Sequence, residues 1–173
     1  MVDLAKWLVS GVVAGLVVYY RNGYWFWVVT GALANAVLVK VLKRIINLPR
    51  PAAAAATTTT TAEKLDPGMP SSHAHMLSYF TTLAFCAGKA NVGCGLAALA
   101  IAVCCERVHR GVHTPNQCAV GLVTGCLGAL VWASSLAALH HRFEEVEPSL
   151  ALLVMLFVVG VGLLTKVGRR ISG

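Results

Sequence analysis

A chain of 173 residues that is 57% hydrophobic and only 12% charged, with a mean hydropathy of +0.72, lies outside the range of soluble domains of this size and has the composition of a bilayer protein. The formal charge of +7 does not form an aromatic-interleaved basic stripe; the cations sit at the ends of apolar runs, so no nucleic-acid partner is expected. Those runs are continuous rather than alternating, which excludes a membrane β-barrel and leaves an all-α, polytopic helical bundle.

Crossing a hydrocarbon core about 30 Å thick takes roughly 17 to 25 helical residues. Six runs meet that demand, near 4–20, 24–46, 73–89, 91–106, 115–139 and 149–166, so about six transmembrane helices are expected. The first run has no small-residue cleavage site behind it, and a removable signal peptide is not expected. Trp7, Tyr19, Tyr20, Tyr24, Trp25 and Trp27 mark the ends of the first two spans, where interfacial aromatics belong. The fourth run is short, and the connection at Gly88 to Asn91 leaves its boundary with the third open. Gly11 with Gly15, and Gly121 with Gly125, are small-residue pairs at the spacing that lets helices approach closely. The six cysteines lie in or beside apolar runs without CxxC spacing and read as small packing residues, with neither a zinc site nor a disulfide framework. One membrane domain, 1–173, accounts for the whole chain, with a low-complexity loop at 52–66 that begins "AAAAATTTTT".

Counting crossings places the loops after the second and fourth spans, 47–72 and 107–114, on one face of the membrane. The other face receives short turns and the acidic stretch "HHRFEEVEPS". On the shared face three polar segments break the apolar background. "KRIINLPRP", 43–51, ends the second span: Lys43 and Arg50 are seven apart, and Pro49 and Pro51 stop the helix. Read alone, it is a basic helix end that snorkels to the headgroups. "GMPSSHAHM", 68–76, places Pro70, Ser71 and Ser72 at a helix start, with unpaired N–H groups facing outward and His73 in the first turn. His75 points about 200° away from His73 around the helix and is not expected to share its role. "ERVHRGVHTPNQ", 106–117, carries Arg107 and His113, with Gln117 one helical turn beyond His113 as its natural partner. His109 and His113 invite a zinc reading, but no acidic ligand is near and Gly111 and Pro115 interrupt the helix. Lys43, Arg50 and Arg107 would each cost about 2.5 to 3.5 kcal/mol in mid-bilayer. A dianion such as a phosphoryl group relieves their mutual repulsion, and two histidines beside it supply a nucleophile and an acid.

Lys43 with Arg50-Pro51, Pro70-Ser71-Ser72-His73, and Arg107 with His113 and Gln117 together resemble the three-part signature of the type 2 phosphatidic acid phosphatase superfamily, over a catalytic core of about 24–139. The resemblance implies a phosphohydrolase that needs neither metal nor other cofactor. In it His113 attacks phosphorus and becomes a phosphohistidine, with Gln117 orienting it. His73 protonates the leaving group, and Lys43, Arg50, Arg107, Ser71 and Ser72 hold the phosphoryl oxygens. Three residues depart from the family pattern: Ser72 stands for a glycine, Glu106 for a serine and Gln117 for an aspartate. The double serine and the glutamine resemble the dolichyl-diphosphatase group and the plastid lipid phosphate phosphatases, and "DPGMPSSHA", 66–74, is closest to the latter. The implied substrate is phosphatidic acid or a polyprenyl (dolichyl) diphosphate, and the implied location the endoplasmic reticulum or plastid envelope. A catalytically silent lipid-phosphate binder is the alternative, for which Glu106 and Gln117 speak. Basic residues outnumber those of the other face on the side carrying the three segments, which puts that side in the cytosol or stroma.

Overall fold

A computed structural model describes residues 15, 19, 23–51 and 67–143. Among these the chain is all-helical: α1 (Gly23–Ile46), α2 (Ser72–Cys86), α3 (Ala90–His109) and α4 (Pro115–Phe143). They occupy four of the six expected spans. The runs at 4–20 and 149–166, the low-complexity loop and the stretch "EEVEPS" lie essentially outside the described residues. α3, and α4 from Pro115 to Ser135, are each long and apolar enough to cross a membrane. Their large apolar residues, among them Val92, Ile101, Val123, Leu127 and Val131, are exposed, as a lipid-facing surface requires.

Local chemistry sets each boundary. α1 stops at Ile46 because Asn47 turns left-handed (φ 45) and its N–H closes on the Lys43 carbonyl at 2.9 Å, ahead of the two prolines. Gly88 (φ 69) and Gly111 (φ 65) end α2 and α3 in the same way. Gly88 N–H reaches the Phe85 carbonyl and Lys89 N–H that of Ala84; Gly111 N–H reaches Val108 and Val112 N–H reaches Arg107. Both are Schellman closures, which a residue with a Cβ adopts at a penalty. They shift two sequence boundaries. The third span ends at Cys86 rather than 89, and the fourth runs on to His109, so Arg107 sits on the last turn of α3 instead of in a loop. α4 opens on Thr114, whose Oγ1 accepts the Gln117 N–H at 3.2 Å, with Pro115 in the first helical position.

α2 is the central helix. It packs most extensively on α4 and next on α3, while α3 and α4 barely meet. Its fully buried residues are Ala74, His75, Ser78 and Tyr79, small or polar, while its larger apolar side chains Met76, Leu77, Phe80 and Leu83 are only half-buried. Two of these polar groups are satisfied by α4: Ser78 Oγ donates to the Leu122 carbonyl (2.6 Å) and His75 Nδ1 pairs with Thr124 Oγ1 (3.0 Å). Close approach depends on glycines. A Cβ on Gly121 would lie 2.7 Å from the Ser71 carbonyl, one on Gly125 would collide with the His75 carbonyl, and one on Gly128 with the Asn35 side chain. Ala32, Tyr79 and Ala129 form the core, against which Met76, Phe80, Leu83 and Trp132 pack. Trp132 stacks on Trp27 at 4.7 Å and donates to its carbonyl.

Candidate active site

The C-terminal end of α1, the N-termini of α2 and α4 and the C-terminal end of α3 lie at one end of the bundle. Two backbone straps tie them. Gly68 N–H donates to the Leu48 carbonyl (2.7 Å), and Ser71 N–H to the Gln117 carbonyl (3.0 Å). Lys43, buried near the end of α1, donates from Nζ to the Pro67 carbonyl at 2.8 Å. The Met69–Pro70 peptide between these straps is cis.

At the start of α2, Ser71 is the N-cap residue, yet its hydroxyl makes no capping bond and is buried without a hydrogen-bond partner. A serine thus fills the cap position at the helix start without making the capping bond. The first intrahelical bond is His75 N–H to the Ser71 carbonyl (3.0 Å), so the N–H groups of Ser72, His73 and Ala74 have no intrahelical acceptor. They form the positive end of a helix dipole facing the site.

Arg107 lies between the two histidines. Its Nη2 donates to His73 Nε2 at 3.0 Å, and its carbonyl accepts the His113 N–H at 3.4 Å. The Arg107 side chain is largely buried, and Glu106 Oε2 stands 3.8 Å from its Nε, while Glu106 Oε1 binds the exposed Arg110 at 2.8 Å. Glu106 thus directs its charge chiefly to Arg110, at the rim.

His113 is buried, and its proton can be assigned. Gln117 Oε1 accepts the Thr114 N–H (3.1 Å), a group that can only donate; Gln117 Nε2 donates to the Pro49 carbonyl (3.0 Å), a group that can only accept. The amide orientation is therefore fixed. Oε1 also stands 3.1 Å from His113 Nδ1, which must carry the proton, leaving the lone pair on Nε2. Burial holds the His113 imidazole below the ordinary histidine range; the Gln117 bond opposes this, and the Arg50, Lys43 and Arg107 cations reinforce it. At neutral pH the ring is an uncharged base with a free, oriented nitrogen.

Of the residues singled out by sequence, Lys43, Arg50, Ser71, Ser72, His73, Arg107, His113 and Gln117 all lie at this end. Arg107 touches His73, and Gln117 touches His113. His75 turns away toward α4, and His109 ends α3 on an exposed position apart from buried His113. Among the described residues no group of three His, Cys, Asp or Glu is placed to hold a metal ion. Sequence reading missed Thr114, the Pro49 and Pro67 carbonyls and Gly68, where a Cβ would stand 2.6 Å from Gln117 Nε2. The Thr-Pro pair at a helix start was a legible capping signal; the other three are tertiary contacts with no local signature.

The model of the PAP2 superfamily matches residues 24–141. The chain is similar to two curated proteins of Arabidopsis thaliana. It is 32% identical to lipid phosphate phosphatase epsilon 1, chloroplastic, over 90% of this chain and 55% of the relative. It is 29% identical to lipid phosphate phosphatase epsilon 2, chloroplastic, over 75% of this chain and 46% of the relative. The chain therefore spans about half the length of the curated relatives it matches. No solved structure matches it.

Proposed function

Because the chain belongs to the PAP2 superfamily, we propose that it is an integral-membrane phosphatase that hydrolyses a lipid phosphomonoester or diphosphate through a phosphohistidine intermediate, without a metal. The observation that carries this is the proton assignment at His113: a buried, neutral imidazole whose Nε2 is left free by the Gln117 bond, beside an arginine that also reaches His73. In the first step His113 Nε2 attacks phosphorus and the phosphorus–oxygen bond to the lipid breaks, the leaving oxygen taking a proton from His73. In the second, water attacks the phosphohistidine, His73 takes the water's proton, and inorganic phosphate leaves. Lys43, Arg50, Arg107 and the N–H groups at the start of α2 hold the non-bridging oxygens and offset the charge of the transition state.

The names of the two relatives favour a lipid phosphate over dolichyl diphosphate, and a plastid membrane over the endoplasmic reticulum. Phosphate release by the purified protein from phosphatidate and from dolichyl diphosphate, measured side by side with and without chelator, tests substrate and metal independence together. His113→Ala and His73→Ala are each expected to lower the rate by about 10² to 10⁴, the worth of a positioned proton transfer or more. Release that persists in both variants rules out the two-histidine mechanism, and none from wild type on either lipid leaves a lipid-phosphate binder.

A further inference from the structure

The contact between Arg107 and His73 fixes a proton as firmly as the one at His113 does. A guanidinium only donates hydrogen bonds. With Arg107 Nη2 at 3.0 Å, His73 Nε2 is therefore an acceptor, and the ring nitrogen carries a lone pair. His113 has its own lone pair on Nε2. Both imidazoles of the site thus stand neutral at the nitrogens that face chemistry, although the reaction proposed above requires a proton on one of them when the phosphorus–oxygen bond breaks.

We infer that a phosphoryl oxyanion, on seating, draws Arg107 away from His73, and that His73 Nε2 then takes up one proton from solvent. This rests on the phosphatase reading and adds a coupling to it. Arg107 is at once a ligand for the oxyanion and the lock that keeps the acid unloaded until the oxyanion arrives.

The charges around His73 set the direction of this coupling. α3 presents Arg107 and, within electrostatic reach, Glu106. Arg50 and Lys43, from the end of α1 and the strap beyond it, belong to the same cluster through their action on Arg107 and His113. None of the described side chains of α4 carries a charge, and its Gln117 is neutral. An imidazolium at His73 would add a fourth cation beside Lys43, Arg50 and Arg107, and the Arg107 N–H aimed at Nε2 keeps that nitrogen unprotonated. A dianion reverses the balance and supplies an acceptor for both the guanidinium and the new imidazolium.

The protons balance over a turnover. The proton taken up on binding goes to the leaving lipid oxygen as the His113 nitrogen–phosphorus bond forms. The proton later removed from water sits on His73 Nε2 until phosphate departs, when it returns to solvent and Arg107 closes back.

Tungstate, a tetrahedral dianion that carries no proton at mildly alkaline pH, is the probe. Titration calorimetry of the full chain in detergent, in two buffers of different ionisation enthalpy, counts the protons exchanged per anion bound. About one proton is expected to be taken up by wild type and by His113→Asn, and none by His73→Gln. A second measurement needs no variant: tungstate affinity of wild type should fall by roughly tenfold per pH unit on the alkaline side. Binding with no proton exchange, uptake that survives His73→Gln or vanishes in His113→Asn, or an affinity indifferent to pH each overturns the coupling while leaving the oxyanion site intact. Failure of wild type to bind tungstate at all removes the oxyanion site, and the coupling with it.

Discussion

Gln117 ties three groups of the site together. It accepts from His113 Nδ1 and the Thr114 N–H and donates to the Pro49 carbonyl, so one amide fixes a tautomer, a helix start and the strap that leads to Arg50. Replacing it with leucine leaves the His113 ring N–H, the Thr114 N–H and the Pro49 carbonyl unsatisfied. Each orphaned buried group costs about 1 to 3 kcal/mol, which thermal unfolding in detergent would register as a lowered midpoint. The loss of ring orientation should lower kcat by about 10²-fold, the scale of a small misplacement of a reacting group. Gln117→Glu keeps the acceptor and adds a charge, and its expected effect is on the pH profile. For His113 acting as the nucleophile, activity requires the neutral ring. Burial and three cations hold its pKa below the ordinary value, so the ring is neutral throughout the neutral range and protonates only as pH falls further. The acid limb of kcat/KM for wild type should accordingly lie below pH ~6.5. A carboxylate at 117 favours the imidazolium and should move that limb upward; a limb that stays in place would show that His113 is not the titrating nucleophile.

At the level of the helices, the site depends on how closely α2 and α4 approach. Gly121 and Gly125 bring α4 against the Ser71 and His75 carbonyls, which sets the N-terminal N–H groups of α2 beside the helix start that carries Gln117. Gly125→Leu therefore forces the two helices apart. Overpacking of this kind costs about 1 to 3 kcal/mol, and here phosphate release should fall together with the thermal midpoint because both helix starts move. Gly95 is the control. It lies within α3, and a Cβ there would meet nothing within 4 Å. Gly95→Ala should stabilise the protein by about 0.5 to 1 kcal/mol through helix propensity alone, with activity unchanged. Gly111 is a third case, set by backbone conformation. Its left-handed φ of 65 closes α3 and aims the turn that delivers His113. Gly111→Ala should cost about 1 kcal/mol or more and lower activity out of proportion to stability, as measured by comparing residual rate with the unfolding midpoint.

Over the whole molecule, what the sequence disclosed divides along a physical line. The helical class, the extents of α1 and α4 to within a few residues and the gathering of the three polar segments at one end were legible, because hydrophobic run length and the parity of crossings fix them. Which face of each helix turns inward was not. In α2 the buried stripe is Ala74, His75, Ser78 and Tyr79, whereas hydrophobic periodicity would have put larger apolar residues there; in lipid the apolar residues go outward and small or polar ones mediate contact. The Arg107–His73 and Lys43–Pro67 contacts were equally invisible, since nothing local to either partner encodes them. The same crossing logic yields a prediction for the molecule in its membrane. α2 and α3 form a hairpin about Gly88, so Lys89 and Arg110 lie at opposite ends of a helix of 20 residues. At about 1.5 Å per residue that helix is roughly 30 Å long, the thickness of a hydrocarbon core. In a cysteine-free background reconstituted in sealed vesicles of uniform orientation, a membrane-impermeant maleimide should label Lys89→Cys from one side only and Arg110→Cys only from the other. A reagent at His109→Cys should follow Arg110, because both stand at the end of the bundle that carries His73 and His113. Labelling of positions 89 and 110 from the same side would mean that α3 does not cross, and the lipid-facing assignment of its exposed Val92, Leu99 and Ile101 would fall with it.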